Sequence, residues 1–164
     1  MGVFTVPIKL KNWQGRFFLP EKRGEEIQCE ALVDSGAAEL ALPQELIERL
    51  KLEELGTVRV YPPSLNYFRV QLRRIPPNGW KDMRGHSVGL HTADGGQHEY
   101  RVFGIVELEV QGRVCQVRTI ELPHGTEPLL GAVPLEEMDW HISPLEKKLI
   151  PNPRSPERPL LPLC

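Results

Sequence analysis

The residues best equipped for chemistry lie in "ALVDSGAAELALP", residues 31–43. An apolar run meets an acid, a hydroxyl and a glycine at Asp34, Ser35 and Gly36, then becomes apolar again. A carboxylate set between Leu32, Val33, Ala37 and Ala38 is expected to be partly buried. Buried charge is costly unless it is paired, hydrogen-bonded or neutralised. Two readings fit. One is a strand ending in a turn, since Asp, Ser and Gly are the residues turns favour. The other is a catalytic acid carried on a tight loop.

The remaining chemistry-bearing residues form weaker patterns. His86, His91 and His98 are close in sequence, but their spacing matches no standard ligand pattern and no CxxC accompanies them. Solvated loop histidines are the expectation, with no metal and no other cofactor. Nothing resembles a nucleophile elbow, so a Ser-His-Asp arrangement has no support. Cys29, Cys115 and Cys164 are odd in number. That usage fits a reducing cytosol better than a disulfide framework, and core packing is the expected role of Cys29 and Cys115.

The elements that must position Asp34 follow from periodicity. "VFTVPIKLK" places Phe4, Val6, Ile8 and Leu10 on one face, and "IQCEALV" does the same with Ile27, Cys29, Ala31 and Val33. After the Asp34 turn and a short apolar stretch, Leu46, Ile47 and Leu50 have helical spacing. This predicts a helix at about 44–51, with Pro43 suited to its first turn and Gly56 to its stop. "NYFRVQLRRI" can be a strand, "PPNG" a turn and "HSVGLHT" a partner strand, while "ADGG" suits a tight hairpin. "IVELEV" and "RVCQVRTIEL" around "QG" form a β-hairpin. A short helix is expected at roughly 134–138, then closing strands in "WHIS" and "KKLIP". The tail "NPRSPERPLLPLC" is Pro-rich and expected to be extended or disordered. At 164 residues the chain is read as one domain. Many short strands and two small helices predict a mainly β fold, a closed or partly closed barrel.

An apolar strand ending in Asp-Ser-Gly-Ala resembles the signature of the retroviral-type, retropepsin-like aspartic proteases. "TADGGQHEY" resembles the flap hairpin of the small bacterial members. "EPLLGAVPLEEMDWHISPLEKKLIPNP" resembles their C-terminal segment, where two apolar residues and a glycine precede a short helix. The order of features agrees from residue 1 to about 153, leaving 154–164 as a tail. The resemblance implies a retropepsin-like barrel with one lobe per chain. It also implies an aspartic endopeptidase with Asp34 as its catalytic residue, supported by Ser35, Gly36, Ala37 and Gly131. Ser35 would hydrogen-bond across a dimer interface, and Gly36 would let the main chain approach the substrate. Gly131 would pack beneath the active-site loop. Ala93, Asp94, Gly95 and Gly96 would form a flap tip closing over a peptide.

The chemistry asks for the same residue types. Hydrolysis of a peptide needs one group to take a proton from water and another to donate toward the carbonyl oxygen. Two close carboxyls serve, because both cannot ionise cheaply at once. The chain has four aspartates, Asp34, Asp82, Asp94 and Asp139, and only Asp34 sits in an Asp-Ser/Thr-Gly context. One chain therefore carries half a dyad, and an obligate C2 homodimer would supply the rest.

One departure interrupts the likeness. Residues 61–88 exceed what the small family members carry, an insertion in which Arg69, Arg73, Arg74, Lys81 and Arg84 face the single acid Asp82. It reads as a surface insertion or as a docking hairpin. A net charge of −2 gives no general pull toward nucleic acid or membrane. No long apolar run marks the N-terminal residues, so a cytoplasmic protein is expected; the resemblance implies a peptide or protein substrate. A second class stays open: a dimeric peptide-binding or scaffold module of the same fold without turnover.

Overall fold

The computed structural model describes residues 4–17, 20–60 and 98–159. The proposed strands and turn between residues 66 and 92, the flap residues Ala93, Asp94, Gly95 and Gly96, the insertion at 61–88 and the end of the tail, 160–164, lie outside them.

Strands β1 (Phe4–Asn12) and β2 (Ile27–Val33) pair antiparallel, with Phe4 opposite Val33 and Leu10 opposite Ile27. Phe4, Val6, Ile8 and Leu10 of β1, and Ile27, Ala31 and Val33 of β2, point into the core. The period-two pattern thus fixes which face is buried. Strand β3 (Leu40–Pro43) runs straight into helix α1 (Gln44–Leu50), which buries Leu46, Ile47 and Leu50. Pro43 is the N-cap residue, and the helix ends at Lys51 in the left-handed region, φ 52°. Its last carbonyls are satisfied from another element: Asn12 Nδ2 donates to Leu50 O and Lys51 O at 3.2 and 2.9 Å. Gly56 is therefore not the helix stop. It lies within strand β4 (Glu53–Val60), where the register on the next strand shifts between Glu54 and Gly56, and its φ is 143°. A β-bulge makes a glycine useful there.

Strands β5 (His98–Val110) and β6 (Arg113–Leu122) form the expected hairpin. Val106, Leu108 and Val110 point inward, and Glu107 and Glu109 are only partly covered. A register shift between Phe103 and Val106 bends β5. Its first half pairs with β4 and its second half with β1 along the same edge. Strand β7 (Leu129–Leu130) leads into helix α2 (Ala132–Glu137). Strands β8 (Trp140–Ser143) and β9 (Lys148–Pro151) close the described chain as a separate hairpin.

The sheet order β1-β2-β7-β3-β6-β5 returns to β1, so six strands close into a barrel, with β4 added on β5. Closure removes the open edges that a flat sheet would expose. β2 with β7 and β3 with β6 are parallel, while the other ladders are antiparallel. The interior is filled by residues such as Ile8, Leu10, Leu40, Leu108 and Leu130, joined by Met138, Trp140 and Leu149 from the C-terminal elements. Each fully buried Leu or Ile contributes roughly 1.5–3 kcal/mol.

Candidate active site

The Asp34 loop is residues 34–39, between β2 and β3. Alternation along β2 sends Ala31 and Val33 inward, so Leu32 and, by continuation, Asp34 lie on the outer face. The parallel partner strand agrees. Val33 is level with Leu130 of the barrel core, and Leu32 with Leu129. Leu129 belongs instead to a second, smaller apolar cluster with Ala41 and Leu122, flanked by the partly exposed Leu32 and Ile120. The acid thus sits at the end of a strand on the same face as an apolar patch.

The loop is held by backbone hydrogen bonds. Asp34 N–H donates to Leu130 O at 3.2 Å, continuing the β2–β7 ladder. The chain then reverses: Gly36 N–H donates to Asp34 Oδ1 at 2.8 Å, and Ala37 N–H donates to Asp34 O at 3.1 Å. This Asx-type turn is what Asp in this position does well. The carbonyls of Ala37 and Ala38 accept the N–H groups of Ala132 and Val133, both at 2.8 Å. The first turn of α2 is satisfied by the loop it supports.

Gly131 is essential to that contact. A Cβ added there would lie 2.4 Å from Glu39 O, 2.7 Å from Ala38 C and 2.8 Å from Ala37 O. These are backbone atoms, so no side-chain rotation relieves the clash. Gly36 is less constrained: a Cβ would meet Asp34 Oδ1 at 3.2 Å. Asp34 is half-buried, Ser35 and Gly36 are exposed, and Ala37 and Gly131 are buried. The structure therefore brings Asp34, Ser35, Gly36, Ala37 and Gly131 into one unit.

Two supports of this region have no sequence signature. Glu39, the last loop residue, accepts a hydrogen bond from Arg118 Nη2 of β6 at 2.8 Å. The bond and charge of Glu39 raise the Arg118 pKa above its ordinary value. Glu45, in the first turn of α1, accepts the N–H of Gly125 at 2.9 Å. That bond holds the 123–128 loop, whose Pro128 O receives the N–H of Leu32 at 2.8 Å.

The second described aspartate is used differently. Asp139 follows α2 in the left-handed region, φ 58°, and is only 9% exposed. Its carboxylate accepts Asn152 Nδ2 at 2.8 Å and the hydroxyl of Ser155. Beside it the buried Arg113 guanidinium donates to the carbonyls of Met138, Asp139, Ser155 and Pro156 at 2.8–3.2 Å. It also stacks over Trp140 at 4.7 Å. Residues 152–156, the start of the Pro-rich tail, are thereby fastened to the barrel. Cys115 is buried and Cys29 half-buried, both as free thiols. Burial, and secondarily the nearby Glu137, pushes the Cys115 thiol up to about 12.

Two surface cavities of about 490 and 540 Å³ are lined by residues around Trp13 and around Cys29, and neither includes the Asp34 loop. Among the described residues no cluster of three or more His, Cys, Asp or Glu could hold a metal ion. Among them, too, no helix is long and apolar enough to cross a membrane. No protein-family model matches the chain, and no curated protein is significantly similar to it.

Proposed function

We propose that the chain is the subunit of a homodimeric aspartic endopeptidase of retropepsin-like fold. The supporting observation is the Asp34 loop itself. A strand delivers one carboxylate to the outer face of a closed barrel, beside apolar residues, on a turn pinned by Leu130 and cradled by Gly131. A structural aspartate would be expected to spend its carboxylate on neighbouring elements, as Asp139 does. The Asp34 side chain accepts a hydrogen bond from Gly36 N–H within its own turn.

In this reading, Asp34 of each copy meets its counterpart at a two-fold axis. One carboxylate, ionised, takes a proton from water; the other, protonated, donates toward the peptide carbonyl. Sharing one proton follows from the repulsion of two like charges at close range. An extended substrate would seat apolar side chains on the Leu32 and Ile120 patch and use main-chain hydrogen bonds for affinity.

The test is cleavage of a diverse peptide library, read by mass spectrometry from acidic to neutral pH, for the wild type and Asp34→Asn. Cleavage at defined bonds, lost in the variant, supports the reading. Peptide binding without turnover at any pH supports a binding module on the same fold instead.

A further inference from the structure

We propose that the Glu39–Arg118 ion pair is a positioning device for the Asp34 loop. It rests on the endopeptidase reading and assigns two residues to it that stand outside the Asp-Ser-Gly turn.

The loop is tied at three places along its length. Its start is fixed by Asp34 N–H on Leu130 O, and its middle by the Ala37 and Ala38 carbonyls on α2. Its end, Glu39, is the residue where the chain must enter β3 in register. That strand is four residues long, and its parallel ladder with β6 begins at Leu40 opposite Thr119. A short parallel ladder needs help to hold its register, and two side chains supply it. Thr119 Oγ1 donates to Leu40 O at 3.2 Å from the buried side. Arg118 binds Glu39 at 2.8 Å from the outer side.

The backbone beneath the pair is set by the neighbouring strand: a Cβ on Gly104 of β5 would lie 3.6 Å from the Arg118 Cα, an ordinary contact distance. Glu39 is 19% exposed at its side chain and its carbonyl presses on Gly131. Movement of Glu39 is thus transmitted to both Gly131 and Ala38. Half-exposed ion pairs add little to global stability, so the consequence of this pair is geometric.

The experiment uses the full chain in three forms: Glu39→Gln, Arg118→Met and the charge-swapped double variant E39R/R118E. Amide exchange at Gly36 and Ala37 is followed by NMR, and kcat and KM are measured on a peptide the wild type cleaves. Each single variant is expected to speed exchange about tenfold and lower kcat about tenfold, with KM within about twofold. The melting temperature should move by no more than about 3 °C, and the swap should restore exchange and kcat. Unchanged exchange in both single variants, or a double variant as impaired as the singles, overturns the proposal. If no turnover depends on Asp34, the endopeptidase reading fails, while the exchange rates still decide the role of the pair.

Discussion

Two aspartates flank the short helix α2, and the chain treats them in opposite ways. Asp139, at the C-terminal side, is nearly sealed and bonded to Asn152 and Ser155, next to a guanidinium that gathers four carbonyls. Asp34, whose loop caps the N-terminal side, is half-buried, followed by the exposed Ser35 and Gly36, and fixed through its backbone. A carboxylate consumed by side-chain partners stabilises a fold. In the proposed reading, a half-buried carboxylate on a loop immobilised by its main chain is available to act on a substrate. Rigid support with an accessible functional group is the arrangement that positioned chemistry requires.

The contrast breaks most sharply by mutation. Asp34→Asn should lower peptide turnover by roughly 10²–10⁴-fold or more, the loss expected on removing a positioned acid–base group, with an unchanged circular dichroism spectrum. Gly131→Ala should strike the Asp34 loop. Its methyl group has only backbone to displace, so a loss of about 1–3 kcal/mol in urea unfolding is expected, together with weakened turnover. Arg113→Met should separate stability from chemistry. It removes the guanidinium that binds four carbonyls around Asp139 and in the 155–156 segment, at a cost of about 1–3 kcal/mol, yet turnover per folded molecule should be retained.

A separate effect is on alkaline stability. Burial raises Tyr100 from its ordinary value to about 12 and, with Glu137, does the same for Cys115. In each case the unfolded chain loses its proton first. The contribution to stability is therefore complete below about pH 9 for Cys115 and about pH 10 for Tyr100, and falls as pH climbs toward 12. Denaturant midpoints should decline over that interval, and Cys115→Ser and Tyr100→Phe should each flatten part of the decline.

Legibility in the sequence followed the range of the interactions. β1, β2 and the β5–β6 hairpin carry alternation that any half-buried strand must show, and α1 carries Leu46, Ile47 and Leu50 at helical spacing. The Asp34 turn was legible because Asp, Ser and Gly interrupt an apolar run. β4 was not, since Glu53 to Thr57 are exposed on both faces and a bulge breaks the period. Its Gly56 mimics a helix stop, while the actual left-handed residue, Lys51, carries no such signal. Closure of β1 on β5 and the pairing of Glu39 with Arg118 join residues far apart in the chain, where local pattern is silent. The fastening of the Pro-rich segment by Arg113 likewise depends on a partner some forty positions away.

The central claim is that each polypeptide holds half of a catalytic centre. Wild-type and Asp34→Asn chains, mixed in equal amounts, unfolded together and refolded, should form wild-type pairs in roughly one quarter of dimers. The account predicts turnover near that quarter of an equal mass of wild type. A linear fall to one half would mean that single chains work alone, and would contradict it.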